Sequence, residues 1–193
     1  MSSRVLSLLF AATVLFTPAL SAQTLSDQDI GLSVVKSINS YTRFTIFDDV
    51  NVLVESGTVT LRGKVTMPFK RDEIAQRIGR VEGVREVKNE IGVLPVSPYD
   101  DELRRKVARA IYGNSAFWRY AAMVNPPVHI VVENGRVTLT GVVASDVDRA
   151  LARSLATGLG ELSVTNELRT DAEVRSGFVS ASVKDSPPST QRR

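Results

Sequence analysis

The chain has 193 residues, with 24 lysines and arginines against 21 aspartates and glutamates, one histidine and no cysteine. Disulfide staples and the usual cysteine-containing zinc sets are therefore excluded, so each domain must be held by its own core. Charge is spread evenly, with ten of each sign over residues 27–96 and nine basic against eight acidic over 99–170, which leaves no basic excess for binding nucleic acid.

The first elements form an address. One positive charge at Arg4, an apolar run from Val5 to Leu20, and the small residues Ser21 and Ala22 follow the order of a secretory signal peptide. The run is short for a membrane span and lacks a charged stop-transfer flank. Residues 1–22 are expected to be removed by cleavage after Ala22, with an uncleaved anchor as the alternative, and the protein is expected to be exported.

Residues 27–96 form the first folded unit. Ile30, Val34 and Ile38 recur every fourth position, the stripe of an amphipathic helix. Two strands follow, joined at Ser56-Gly57, whose composition suits a two-residue type I′ turn. That turn sets Val54 opposite Val59 and Val52 opposite Leu61, with all four on one face. Ile74 and Ile78 mark a second helix, and a last strand runs from about Arg85 to Val93.

Residues 99–170 repeat the unit after a short proline-flanked link, Pro95 to Pro98, which predicts fixed packing between the two. Ser97 and Pro98 start a helix, with Asp100 supporting the cap. Val128 to Val143 match Val50 to Val65 at nine of sixteen positions, including the turn glycine. Ser145 and Asp148 form a capping pair for a helix that buries Leu151 and Leu155, and a last strand spans about Leu162 to Leu168. Gly158-Leu159-Gly160-Glu161, in place of the cleaner Gly83-Val84, is expected to loosen the start of that strand. The tail, 171–193, carries Ser-Pro-Pro-Ser with little apolar periodicity and is expected to be disordered. The prediction is an α+β fold of two α-β-β-α-β modules, each a small three-stranded sheet with two helices packed on one face.

The glycine-punctuated Gly57-x-Val59-x-Leu61-x-Gly63-x-Val65, the later Gly83-Val84-x-x-Val87-x-Asn89 and the duplication of this order resemble the BON domain family. The resemblance covers nearly all of the chain outside the leader and tail. It implies a periplasmic, envelope location, a role in binding phospholipid or maintaining the envelope under osmotic or other stress, and no catalytic site or cofactor.

The residues themselves offer little chemistry. His129 alternates with Val128, Ile130 and Val132, so it is expected on the solvent face of its strand, with no second histidine for a metal site or acid for a triad. Asp48-Asp49 and Asp100-Asp101 flank element ends, where capping explains acidic residues. Gly57 and Gly135 answer the positive φ of the turns. Gly63 and Gly141 are expected to let a helix pack closely, and Asn89 and Asn166 to bond neighbouring backbone at the core edge. The chain is expected not to be an enzyme.

The copies differ most between first helix and first strand, where the second is longer and holds Phe117-Trp118-Arg119-Tyr120, with the only tryptophan. Tryptophan, tyrosine and arginine favour interfaces and membrane headgroups because one end is apolar and the other polar. With Arg104, Arg105 and Arg109 of the preceding helix, these residues form a candidate surface for peripheral contact with phospholipid headgroups or an envelope protein. The competing reading puts Phe117 and Trp118 in the core or the inter-module seam and pairs the arginines with Asp101 and Glu102. An alternative contact is the outer sheet face, Asn51, Leu53, Thr60 and Arg62 in the first copy and His129, Val131, Thr138 and Val142 in the second.

Overall fold

The computed structural model describes residues 25–176. The leader cleavage site and residues 177–193 lie outside them. The first module runs α1 (Asp27–Asn39), β1 (Asp49–Glu55), β2 (Thr58–Val65), α2 (Pro68–Ile78) and β3 (Glu86–Val93). The second runs α3 (Pro98–Tyr112), a 3-10 turn (Ser115–Phe117), α4 (Trp118–Ala121), β4 (Val128–Glu133), β5 (Arg136–Val143), α5 (Asp146–Leu155), β6 (Ser163–Asn166) and β7 (Arg169–Thr170). Each hairpin is antiparallel, and the last strand lies parallel to its second strand. This is the predicted α+β duplication.

Ser26, Ser97 and Ser145 cap α1, α3 and α5 by accepting the backbone N–H three residues on. Ile30, Val34 and Ile38 then meet Val59, Leu61, Ile74, Ile78 and Ile91 in one core; Leu103, Val107 and Ile111 meet Ile130, Val137, Leu139 and Ala152 in the other. The deepest positions are Ala152 on α5 and Ala156 at its C-cap, while Leu151 and Leu155 are half-buried.

Both turns have two consecutive positive φ angles, 50° and 77° at Ser56-Gly57 and 52° and 73° at Asn134-Gly135, as a type I′ turn requires. The register pairs Val54 with Val59 and Val52 with Leu61. Asp27 accepts hydrogen bonds from Ser56 N (2.7 Å) and Gly57 N (2.9 Å). Asp100 does the same for Asn134 N (2.9 Å) and Gly135 N (2.8 Å). Its carboxylate is thus a clasp from helix start to hairpin turn, and not only part of a cap.

Three further expectations are corrected. A Cβ on Gly63 would lie 2.2 Å from Asp49 O, and one on Gly141 1.9 Å from Pro127 O. The close approach is therefore to the carbonyl entering the preceding strand, not to a helix. The final strand of the second module starts firmly, with Leu162 N bonded to Gly135 O at 2.8 Å just as Arg85 N is to Gly57 O. It is interrupted later, at Glu167 and Leu168, between β6 and β7. The tail begins with order: residues 171–176 are helical, and Glu173 bonds Arg149 (2.9 Å) and Thr170 N (2.8 Å).

Candidate functional site

The candidate surface starts on α3. Arg105 and Arg109 stand exposed on its outer side, and Arg105 bonds Glu102 one turn back at 2.8 Å. That hydrogen bond holds the Glu102 carboxyl below its ordinary range. Arg104 does not belong to the surface. It is buried, pairs with Asp101 and donates from Nη2 to Val132 O at 2.7 Å. Its place on the α3 face that meets β4 makes it a seal on a strand edge.

The longer connection after α3 divides its aromatics by helical geometry. Asn114 caps the 3-10 turn by accepting from Ala116 N at 3.0 Å. Phe117 and Tyr120, three residues apart, then share one side and are both buried, with ring centres 5.6 Å apart. They are core residues, which corrects the expectation that they touch a partner. Trp118 falls on the other side and is 65% exposed. Arg119 lies over the Tyr120 ring at 4.6 Å and pairs with Asp148, so its charge is committed locally.

Tyr120 OH donates to Asp148 Oδ2 (2.8 Å) and accepts from Ala144 N (2.8 Å), pinning the connection to the start of α5. Burial, with the neighbouring carboxylate, holds the phenol above its ordinary pKa. The first module has a counterpart of reversed polarity. There the carboxylate, Asp48, comes from the loop before β1, and the cation, Lys70, from the first turn of α2. Asp48 is fully buried and accepts from Thr45 N (2.9 Å), Thr45 Oγ1 (2.8 Å), Thr66 N (2.8 Å), Thr66 Oγ1 (2.8 Å) and Lys70 Nζ (2.6 Å). Burial alone would raise its pKa, but these donors and the Lys70 charge outweigh it and leave the carboxyl below its ordinary value.

The loop that Asp48 organises also forms the seam between modules. Ile130 N donates to Ile46 O at 2.7 Å, Thr140 Oγ1 to Asp49 Oδ1 at 2.9 Å, and Lys64 Nζ bonds Glu133 at 3.2 Å. Ile46 and Phe47 pack against the core of the second module. His129 sits here and not in open solvent: its Nδ1 lies 2.6 Å from Asp48 O, and its ring 5.5 Å from that of Phe44. A carbonyl can only accept, so Nδ1 carries the proton. Val131 and Thr140 are buried on the same face, so the outer sheet face proposed for the second copy is largely covered. In the first copy, Asn51, Leu53 and Arg62 are exposed, and Arg62 bonds Glu90 at 2.6 Å.

Asn89 and Asn166 do bond backbone, to Arg71 O (3.1 Å) and Arg149 O (2.8 Å), tying each last strand to the preceding helix. Among the described residues no three acidic or histidine side chains converge as a metal site, and no helix is long and apolar enough to cross a membrane.

The profile of the BON domain matches twice, over residues 26–95 and 99–172. No curated protein matches the chain. Among solved structures, the chain is similar to the C-terminal domain of CdsD, the structural protein of the Type III secretion system of Chlamydia trachomatis, at 14% identity and a TM-score of 0.31. That match covers 75% of this chain and 66% of the other. A second structure of CdsD is similar at 15% identity and a TM-score of 0.28, covering 80% and 99%.

Proposed function

This chain belongs to the BON domain family, in two copies, and on that premise we propose that it is a non-catalytic, exported protein of the cell envelope that makes peripheral contact with anionic phospholipid headgroups through its second module. The observation that carries this reading is Trp118. The connection anchors Phe117 and Tyr120 inward and leaves the one tryptophan 65% exposed. An indole in that position suits the headgroup region, with its ring in the acyl boundary and its N–H in water. Arg105 and Arg109 on the adjoining helix supply attraction to an anionic leaflet, a contribution that falls within a Debye length of the surface. The phospholipid reading and a role in envelope maintenance follow the family; the residues named come from the geometry.

Co-sedimentation with phosphatidylglycerol vesicles tests it. The protein is expected to pellet with them at low salt, less so at high salt, and to lose most of that association in Trp118→Ala and in Arg105→Glu/Arg109→Glu. Association unchanged in both variants contradicts the reading. A protein partner that co-purifies without any vesicle association supports an envelope scaffold in its place.

A further inference from the structure

α1, α3 and α5 each start on a serine whose side chain accepts a backbone N–H of the first turn, and α2 does not. Its N-cap is Met67, where the second module has Ser145, and its first turn holds no acid. Pro68 has no N–H to satisfy, and Phe69 N has no hydrogen-bond partner among the described residues. In place of Asp148 the turn carries a cation, Lys70, so positive charge meets the positive end of the helix dipole. Asp48 and Thr66 engage Lys70 Nζ at 2.6 and 2.8 Å, which leaves one of its N–H donors unspent.

Arg104 reaches the same place from α3. Two of its nitrogens are spent, Nη1 on Asp101 and Nη2 on Val132 O at 2.7 Å. Its Nε is buried and has no partner, and a buried charged donor left unmatched is costly and rare in native structures. The other orphaned nitrogen among the described residues, Nε of Arg77, belongs to a guanidinium that lies over the Tyr41 ring, whose face offsets part of its charge. Lys70, Met67, Asp101 and Arg104 wall one cavity of about 450 Å³ between the modules, and Phe47 and Val96 give it an apolar side. Asp101, which holds Nη1, is part of that wall, so the guanidinium stands at it.

We propose that this cavity binds a small organic acid. Its oxyanion is taken by Lys70, Arg104 and the start of α2, and its apolar body by Phe47, Met67 and Val96. An anion suits because the unspent groups are all donors, and those of Lys70 and Arg104 sit on cations. The one carboxylate in the wall, Asp101, is already committed to Arg104. An apolar body suits because Val96, in the link between modules, is 96% exposed beside these charges. The volume is that of a small-molecule site. Trp118 takes no part in it, so the site stands apart from the lipid contact; Arg105, which also borders the cavity, is the one residue common to both.

The test titrates the full chain with octanoate, with inorganic phosphate and with phosphatidylglycerol vesicles, followed by NMR that resolves backbone amides and arginine Nε–H groups. Octanoate is expected to shift the Arg104 Nε–H and the Phe69 amide and to slow their exchange. Phosphate, which lacks the apolar body, is expected to bind at least about tenfold more weakly. Met67→Asp gives α2 a carboxylate cap of its own. It is expected to weaken octanoate binding at least about tenfold and to unfold at an equal or higher temperature, which separates lost binding from lost folding. Four results would each overturn the proposal: no response of Arg104 to millimolar octanoate, which leaves water as the partner of Nε; equal binding by Met67→Asp; phosphate as tight as octanoate; or a response of these groups to vesicles and not to octanoate.

Discussion

Replacing Asp48 by asparagine is expected to lower the stability of the protein by about 3–5 kcal/mol, the usual result of leaving a buried charge without its partner. Asp48 is fully buried and takes five hydrogen bonds, including that from the almost fully buried Lys70 ammonium. Asparagine keeps one carbonyl oxygen but turns an amide toward Lys70 Nζ, so a cation is left in the interior. In a domain pair of this size such a loss lowers the unfolding midpoint by roughly 10 °C, readable by circular dichroism. Lys70→Met is expected to cost less, because the carboxylate it abandons keeps four donors from Thr45 and Thr66. Damage from Asp48→Asn should also reach the second module. The loop it organises carries Ile46 O, which holds Ile130 N, and Asp48 O, which holds His129, so exchange at the Ile130 amide should accelerate.

The pair also gives a pH signature. The folded carboxyl lies below its unfolded value, so its contribution is fully present above the unfolded pKa and is lost as pH falls through the folded one. An unfolded aspartate titrates near pH 4, so the wild type should lose this stability progressively below about pH 4. The gap between wild type and Asp48→Asn should therefore close on acidification. A gap that stayed constant to pH 2 would mean that the carboxylate charge contributes nothing.

The second large effect is a contrast between neighbours. Phe117→Ala removes a fully buried ring from the second core and is expected to cost about 3–5 kcal/mol. Trp118→Ala, one residue on, removes a side chain that lies mostly in solvent and is expected to change stability by no more than about 0.5 kcal/mol. Urea unfolding of the two variants measures both. Near-equal losses would place Trp118 in the core and remove it from the proposed contact surface.

That contrast also marks the limit of what the sequence made legible. The two modules could be read because helix stripes, a two-residue turn and the register it enforces are local rules, and duplication doubled each signal. Asp48 with Lys70 could not be read. The two are 22 residues apart, and each has an ordinary local explanation, one at a strand entrance and one in a helix turn. The strand pattern marks Gly63 and Gly141 as structural, but their partner is a carbonyl at the start of the neighbouring strand, which only the sheet geometry identifies. Alternation puts His129 on the outer face of its strand, but that face meets the other module, and strand alternation says nothing about what lies opposite. In the aromatic run a usable signal was present. Phe117 and Tyr120 are spaced three apart, as residues on one side of a helical turn are, and Trp118 is not in phase with them.

The exposed indole allows the proposed lipid contact to be followed without a label, since no other tryptophan is present. Fluorescence of the protein titrated with phosphatidylglycerol vesicles is expected to shift to shorter wavelength as Trp118 leaves water, with the shift reversed by high salt. Emission that stays at the solvated position at saturating vesicle concentration would contradict the account.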